Sequence, residues 1–414
     1  MNGASAVRRT GRRPESEHSK DGCRRIPLAS AWAAATAAVV LAACGTGRGT
    51  STPAGAVVAS LQAPLATTLP TPSGDWAVIA MGNLSDPLNT FWQLLFRPAG
   101  GALWSLVTPR GVASNGGLVV AGGNPAPLTV GIEPSNNLRF SPLAQSPDGG
   151  HTWSPGLVPG ALAPVPDALA AAPTGALMAL VARGGGVLRS DGDPSTWTKV
   201  TDRGALATSK AGRSCGVGAL SAVGFQPAGG VLVGTTCMKP GRVGVFVRQG
   251  GVWRLLGRDL PGRTPTRQTS VVRLAATRGG VAGLVVSTKA AGAALIGIWD
   301  TSGHGQWELS PALDIAPRAA LRSSGFTPGG GIVVLTGDRG ARPGLELVGG
   351  PGSAWQSLPP PPVDTATVAV APDGGIDALA AHSTMLTVWH LDTTAGTWDK
   401  IQTMDVPIQF GSSA

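Results

Sequence analysis

Two sequence markers alternate seven times between residues 71 and 398, and this repetition limits the possible folds more than any other feature. One marker is a Pro- or Gly-rich turn between apolar runs. The other is a tryptophan that opens a short strand after a turn of small residues. The turns lie at 71–74, 114–117, 173–175, 227–230, 277–280, 328–330 and 372–375, and the tryptophans are Trp104, Trp153, Trp197, Trp253, Trp307, Trp355 and Trp398. The alternation predicts seven similar structural units.

Each unit divides into four short apolar runs, as the fourth unit illustrates at 218–224, 231–236, 243–248 and 252–256. The high content of Gly (61) and Pro (35), together with only 13% charged residues, favours many strands joined by turns. We therefore predict an all-β fold, a seven-bladed β-propeller of four-stranded antiparallel blades over residues 63–414. A tandem of β-sandwiches is the alternative, but it would not need one tryptophan per unit.

Residues 146–153 read Ser-Pro-Asp-Gly-Gly-His-Thr-Trp. In such a turn Asp148 can accept backbone N–H groups, and Gly150 supplies backbone freedom. Trp153 would then bury its ring beneath the turn. The pattern formed by Ser146, Asp148, Gly150, Thr152 and Trp153 resembles the Asp-box, or BNR repeat, of sialidase-like β-propellers. This resemblance implies a structural turn between the two outer strands of a blade, away from the ligand-binding face.

Catalysis is weighed because of that resemblance. Sialidases use a tyrosine nucleophile, and this chain contains no tyrosine, so their mechanism cannot apply. Related Asp-box propellers also serve as non-catalytic receptors and as assembly factors, such as the photosystem II assembly factor family. We expect no catalytic residue and a binding or assembly role, with a glycoside hydrolase using paired carboxylates as the alternative. The candidate carboxylates for that alternative are Asp86, Asp167, Asp202, Asp259, Asp314, Asp338 and Asp364.

Residues 1–43 have the organisation of a bacterial export signal. Seven basic residues precede an apolar run at 26–43, which ends in Leu41-Ala42-Ala43-Cys44. This ending resembles the lipobox of bacterial lipoproteins, and the resemblance implies lipidation of Cys44. We expect an exported protein, lipid-anchored on the outer face of the cytoplasmic membrane, with 44–62 as a flexible tether. An uncleaved signal anchor is the alternative.

Removal of residues 1–43 lowers the net charge from +9 to +5, because seven basic and three acidic residues leave with them. The basic character of the whole chain therefore belongs partly to the signal. A nucleic-acid partner is not expected. The four histidines beyond the signal are scattered over three units without metal-ligand spacing, and no C-x-x-C occurs. We therefore expect neither a metal site nor a cofactor.

Cys215 and Cys237 fall at one end of the first hairpin of the fourth unit, close enough for a disulfide in an exported protein. In a propeller the loops at this end share one face, opposite the Asp-box turn. That face carries an excess of basic residues, and the candidate binding residues are Arg203, Lys210, Arg213, Lys239, Arg242 and Arg258. We expect a monomer that binds an acidic protein or a cell-envelope polyanion. The alternative is that these residues only keep the protein soluble.

A propeller also requires contact between its last and first blades, because an open ring leaves unpaired strand edges. Residues 404–410 carry Val406, Ile408 and Phe410 in alternation and are predicted to pair with the first blade. Either this segment or residues 65–69 would then supply the inner strand of that blade.

Overall fold

The computed structural model describes residues 66–82, 90–109, 114–122, 128–134, 143–154, 166–181, 186–256, 268–277, 280–289, 292–302, 306–317, 319–327, 329–337, 342–371 and 374–406. All of them lie in the unit Thr52–Ala414. They form 28 β-strands and two short helices, so the fold is all-β. In this part of the chain, no helix is both long and apolar enough to cross a bilayer.

Successive strands pair antiparallel in groups that we call blades 1 to 7. Blade 1 contains β1 (Ala66–Thr71), β2 (Gly74–Gly82), β3 (Thr90–Pro98) and β4 (Ser105–Leu106). Blade 2 contains β5 (Ser114–Ala121), β6 (Leu128–Pro134) and β7 (Leu143–Ser146). Blade 3 contains β8 (Ala168–Ala171), β9 (Leu177–Val181), β10 (Gly186–Ser190) and β11 (Thr198–Thr201).

Two helices, α1 (Arg203–Thr208) and α2 (Lys210–Cys215), connect blade 3 to blade 4. Blade 4 contains β12 (Val217–Phe225), β13 (Val231–Cys237), β14 (Gly244–Gln249) and β15 (Val252–Leu255). Blade 5 contains β16 (Gln268–Thr277), β17 (Gly280–Lys289), β18 (Gly292–Asp300) and β19 (Trp307–Leu309). The short β20 (Leu313–Ile315) pairs with the other half of β18.

Blade 6 contains β21 (Ala320–Phe326), β22 (Ile332–Gly337), β23 (Gly344–Val348) and β24 (Gln356–Leu358). Blade 7 contains β25 (Thr365–Val370), β26 (Ile376–His382), β27 (Met385–Asp392) and β28 (Thr397–Asp405). Each group has four described strands, except blade 2, which has three, and blade 5, where the short β20 is a fifth. The predicted turn at 114–117 is wrong, because these residues belong to β5.

Burial changes from the middle strands to the edge of a blade. All nine residues of β18, mostly Ala, Leu, Ile and Gly, are buried. None of the nine residues of β28, an outer strand with alternating polar side chains, is buried. Strands that are covered on both sides by neighbouring sheets have apolar residues on both faces, whereas outer strands meet water. The blades therefore pack face to face.

An apolar cluster lies between each blade and the next. Trp76 of blade 1 packs with Val130 of blade 2, and Leu232 of blade 4 packs with Val285 of blade 5. The corresponding cluster between blade 7 and blade 1 contains Leu379 and Ile79. Because the last blade packs on the first as the others pack on their neighbours, the arrangement is that of a β-propeller.

The inner strands of blades 1 to 6 line one axial cavity of about 110 Å³. Each of these strands contributes an apolar side chain to its wall: Leu69, Val120, Leu169, Val223, Leu274 and Phe326. The inner strand β1 also pairs in parallel with β21 of blade 6. A Cβ on Gly325 would lie 2.2 Å from Thr68 Oγ1, so glycine is required for this close approach.

A buried polar network joins blade 1 to blade 7. Arg97 donates to Asp75 at 2.7 Å within blade 1 and also pairs with Asp377 of β26. Its guanidinium stacks over the Trp104 ring, 4.9 Å from the ring centroid, and the indole N–H of Trp104 donates to Asp377 at 2.9 Å. Gln402 completes the junction, because it accepts from the backbone N–H of Trp104 and donates to its carbonyl.

The predicted closing strand is wrong for the residues described. Met404 and Asp405 belong to β28 and pair with β27 of their own blade. The inner strand of blade 1 is β1, from Ala66. Val406 is buried between blades 7 and 1, so this segment contributes to closure by packing and not by strand pairing. Ile408 and Phe410 lie outside the described residues.

Asp377→Ala is expected to lower the free energy of unfolding by about 3 kcal/mol or more, because it removes one of the two buried carboxylates that pair with Arg97 and the acceptor of the Trp104 indole. Urea unfolding followed by tryptophan fluorescence measures the change. Asp399→Ala, an exposed substitution on β28, is the matched control. The triple variant Asp75→Leu/Arg97→Met/Asp377→Leu, which removes all three buried charges, should regain much of the loss. If Asp377→Ala unfolds at the wild-type urea concentration, the network does not hold the ring closed.

Candidate functional site

A disulfide links Cys215, at the end of α2, to Cys237, at the end of β13, as the sequence predicts. Two backbone hydrogen bonds reinforce this link: Lys239 N–H donates to the Cys215 carbonyl at 3.0 Å, and Met238 N–H donates to the Gly216 carbonyl at 2.9 Å. The segment between blades 3 and 4 was predicted as a loop but forms α1 and α2. Covalent and backbone bonds together therefore fix the helix pair against the β13–β14 turn.

Local sequence explains why the two helices form. Asp202 caps α1 by accepting from the Ala205 N–H, and Ser209 caps α2 by accepting from the Gly212 N–H. Leu206 points inward and is fully buried in the apolar cluster between blades 3 and 4. The Asp202 carboxylate makes two interactions, because it accepts the cap hydrogen bond and also pairs with Lys199 at 2.8 Å. Lys199 and the capped N–H groups lower the pKa of Asp202.

The disulfide-clamped segment displays most of the predicted binding residues. Arg203 lies on α1, Lys210 and Arg213 lie on α2, and Lys239 lies on the β13–β14 turn; all four are exposed. Arg203, Lys210 and Lys239 have no ion pair with any described residue. We call Arg203, Lys210, Arg213, Lys239 and Arg242 the basic surface.

Two further residues, Arg242 and Met238, shape the surface beside these cations. Arg242 is half-buried and closes the β13–β14 turn, where its N–H donates to the Lys239 carbonyl. Met238 is 55% exposed beside Lys239, which gives the basic surface an apolar component. Arg258 and Cys44, the other predicted site residues, lie outside the described part of the chain.

The turn that follows β7 has the hydrogen bonds expected from its sequence. Asp148 accepts from the Thr152 N–H at 2.8 Å and from the Thr152 hydroxyl at 2.5 Å. The Ser146 hydroxyl donates to Asp148 at 2.9 Å and accepts from the Gly150 N–H at 2.7 Å. The bonds from Thr152 hold the pKa of Asp148 at about 2, below its ordinary value of 3.8. Asp148 is therefore an internal acceptor of the turn.

This turn also attaches blade 2 to blade 1. The indole N–H of Trp153 donates to the Val107 carbonyl at 3.1 Å, just beyond β4. A Cβ on Gly150 would lie 2.7 Å from Val107 Cβ, and its φ of 86° also favours glycine. Trp355 and Trp398 make equivalent bonds to the carbonyls of Pro311 and Pro359, which follow the preceding blades. These three tryptophans therefore link neighbouring blades, whereas Trp197 donates to the Pro194 carbonyl of its own blade.

A second turn of this kind, which was not predicted from the sequence, lies in blade 3. Asp193 accepts from the Ser195 N–H at 2.9 Å and from the Ser195 hydroxyl at 2.6 Å, which lowers its pKa. The segment reads Ser-Asp-Gly-Asp-Pro-Ser-Thr-Trp, with the same Ser, Thr and Trp positions as residues 146–153 but a displaced aspartate. The spacing of Ser190, Thr196 and Trp197 matches that in residues 146–153, and this match could have identified the turn from the sequence.

Among the described residues that line the axial cavity there is one cation, Arg273, which was not predicted from the sequence as a site residue. Arg273 lies on β16 beside a bulge, and its Nε donates to Ser324 Oγ of blade 6 at 3.4 Å. Desolvation lowers the pKa of Arg273 to about 10, so the side chain remains charged at neutral pH. Asp167 and Ser221 also line the cavity, and the Ser221 hydroxyl donates to the Val271 carbonyl.

The alternative catalytic residues are not brought together in the described part of the chain. Asp167 is the one described carboxylate that lines the axial cavity, whereas Asp202 caps a helix. Asp364 lies 3.7 Å from His382, and Asp314 lies in β20. The other three candidates lie outside the described residues: Asp86, Asp259 and Asp338. Ser214, in a Gly-x-Ser-x-Gly sequence, lies within α2 and donates to the Ala211 carbonyl. It is therefore not on the strand-to-helix turn that an α/β-hydrolase nucleophile requires.

Fold and site together define an all-β propeller with a disulfide-clamped basic surface and an axial cavity. No protein-family model matches the sequence, and no curated protein matches it. Solved structures that resemble the chain include a protein from Lactobacillus plantarum, with 10% identity, coverage of 80% of this chain and 96% of that one, and a TM-score of 0.49. YCF48 bound to D1 peptide matches with 16% identity, coverage of 77% and 91%, and a TM-score of 0.42.

A six-bladed fungal lectin from Aleuria aurantia, with a novel fucose recognition mode, matches with 11% identity, coverage of 84% and 98%, and a TM-score of 0.40. Because these identities are low and these TM-scores lie below 0.5, no function is transferred from these proteins.

Asp148 predicts a pH-dependent stability. Its pKa is about 2 in the folded protein against an ordinary 3.8, so its contribution is complete above about pH 4 and is lost as pH falls through 2. Asp148→Asn should therefore melt below the wild type at pH 6, and the difference should shrink between pH 4 and 2. Asp399→Asn is the control, since Asp399 accepts no such bonds. A melting difference that is constant from pH 6 to 2 would contradict this role.

Proposed function

We propose that this protein is an exported, lipid-anchored β-propeller of seven four-stranded blades that binds an anionic partner, either an acidic protein or a cell-envelope polyanion, through its basic surface. The observation that carries the proposal is the clamping of Arg203, Lys210, Arg213 and Lys239 by the Cys215–Cys237 disulfide. A segment that served only as a connection between blades would not require a covalent bond to the next hairpin.

The electrostatics of the segment support binding of an anion. The nearest acid in sequence, Asp202, is engaged by Lys199 and by the α1 cap, so it does not neutralise the exposed cations. Fixed cations lose less side-chain and loop entropy on binding than cations on a mobile loop. Met238 supplies exposed apolar area beside them, which favours a protein or an amphiphilic polymer over a simple ion.

Solubility is the competing explanation for these cations, and position distinguishes the two. Cations that only maintain solubility can lie anywhere on the surface, as Arg254 of β15 and Lys400 of β28 do on exposed outer strands. A binding role instead requires several cations close together, and the basic surface has them beside the disulfide. A glycoside hydrolase is not favoured by any specific pair of described carboxylates.

Charge reversal tests the basic surface. Arg203→Glu/Lys210→Glu/Arg213→Glu is expected to weaken binding to polyglutamate and polyphosphate by tenfold or more, because each reversal replaces attraction with repulsion. Wild-type binding should also weaken as NaCl rises, since salt screens exposed charges. Fluorescence anisotropy with labelled polymers measures both effects.

Arg342→Glu/Lys400→Glu provides the control for that experiment, because it reverses two exposed charges on blades 6 and 7, whereas the basic surface lies at blades 3 and 4. Its binding should stay within about twofold of wild type. Equal loss in the two variants would show that net charge alone attracts the polymers, and the proposed surface would be wrong.

The anchor has its own test. Mass spectrometry of the membrane fraction should find Cys44 as the lipidated N-terminus, since several acyl chains on one cysteine give stable attachment where one does not. Cys44→Ser should abolish the modification and the processing, whereas Cys23→Ser, the matched control within the signal, should leave both intact. An unprocessed Cys44→Ser protein that still partitions with membranes would favour the signal anchor.

A further inference from the structure

Arg273 is the one cation among the described residues that line the axial cavity, and its bonding is incomplete. Its single protein partner in this part of the chain is Ser324 Oγ, reached by Nε at 3.4 Å. A guanidinium has five N–H donors, so its Nη groups have no described acceptor. Structural arginines elsewhere in the fold are fully engaged: Arg97 makes two ion pairs and a ring contact. Arg273 therefore retains donors for a ligand.

The size of the cavity restricts it to a very small ligand. Its volume of about 110 Å³ is below the roughly 150 Å³ of an apolar cavity that admits benzene. Leu169, Val223, Leu274 and Phe326 give it apolar walls, while Arg273, Ser221 and Asp167 supply polar groups. Apolar side chains together with a few convergent polar groups are a common lining of ligand sites.

From this arrangement we propose that the axial cavity binds a small organic monocarboxylate of about five or six heavy atoms. Its carboxylate accepts from the Nη groups of Arg273, and its hydrocarbon part lies against Leu169, Val223 and Phe326. One guanidinium balances one negative charge, and the Asp167 carboxylate on the same wall disfavours a dianion such as phosphate. This site is separate from the basic surface and does not depend on the proposed function.

Desolvation favours the same ligand. Desolvation lowers the pKa of Arg273, and no described carboxylate forms an ion pair with it. A carboxylate that enters the cavity replaces missing water with charge-assisted hydrogen bonds. A neutral molecule of the same shape would fill the apolar part and leave the guanidinium without an acceptor.

Isothermal titration of the full mature protein with sodium butyrate, butan-1-ol and inorganic phosphate tests the proposal. Butyrate should bind saturably, and butan-1-ol and phosphate should bind at least tenfold more weakly. Arg273→Gln should weaken butyrate binding by about tenfold or more, because it removes a charge-assisted pair. Arg322→Gln, on the inner strand β21 but not lining the cavity, is the matched control and should bind as wild type.

Several results would overturn the proposal. Absence of saturable butyrate binding to the wild type would do so, as would equal binding of butan-1-ol, or phosphate binding tighter than butyrate. If Arg273→Gln does not fold, modification of the wild-type protein with phenylglyoxal gives a second measurement. Butyrate should protect Arg273 from phenylglyoxal, as mapped by mass spectrometry, and leave Arg213 reactive. Unprotected Arg273 would contradict the assignment.

Discussion

The propeller depends on the junction between blade 1 and blade 7, because every other pair of neighbouring blades is also joined by a chain connection. Here a buried arginine pairs with aspartates from both blades, stacks on Trp104 and thereby fixes one arrangement of the two sheets. Burying these charges costs desolvation energy, so the pair need not add much net stability. A misaligned junction would leave Arg97 or Asp377 unpaired. We interpret the network as selecting the closed ring over an open one.

The contact that Trp104 makes at this junction has counterparts in other blades. Trp153, Trp355 and Trp398 each donate an indole N–H to a backbone carbonyl that follows the preceding blade. For Trp104 the preceding blade in the ring is blade 7, and its acceptor is the Asp377 side chain. A large ring can cover the apolar edge between two sheets while its N–H satisfies a carbonyl at the margin. At these four positions the repeat visible in the sequence is a contact between blades.

Structure within a single hairpin was much more predictable from the sequence than contacts between residues far apart in the chain. The strands of blades 4 to 7, the Asp148 turn and the Cys215–Cys237 bond follow from patterns within one hairpin. The Arg97–Asp377 pair was not predictable, because 280 residues separate its members and no local pattern marks them. Arg273 was missed for a related reason: its position at the axis arises from six inner strands together. The α1–α2 helices were mistaken for a loop because each has only six residues.

The two ends of the propeller use their charges differently. At the end with the Asp148 and Asp193 turns, carboxylates accept backbone and hydroxyl hydrogen bonds from their own turns, and their lowered pKa values record that engagement. Such groups stabilise local backbone and have little capacity left for a ligand. At the opposite end, helix caps and a disulfide order the backbone, so Arg203 and Lys210 are not needed for that purpose. Arg203, Lys210 and Lys239 form no ion pair with a described residue, and they are therefore available for recognition in a way that Asp148 and Asp193 are not.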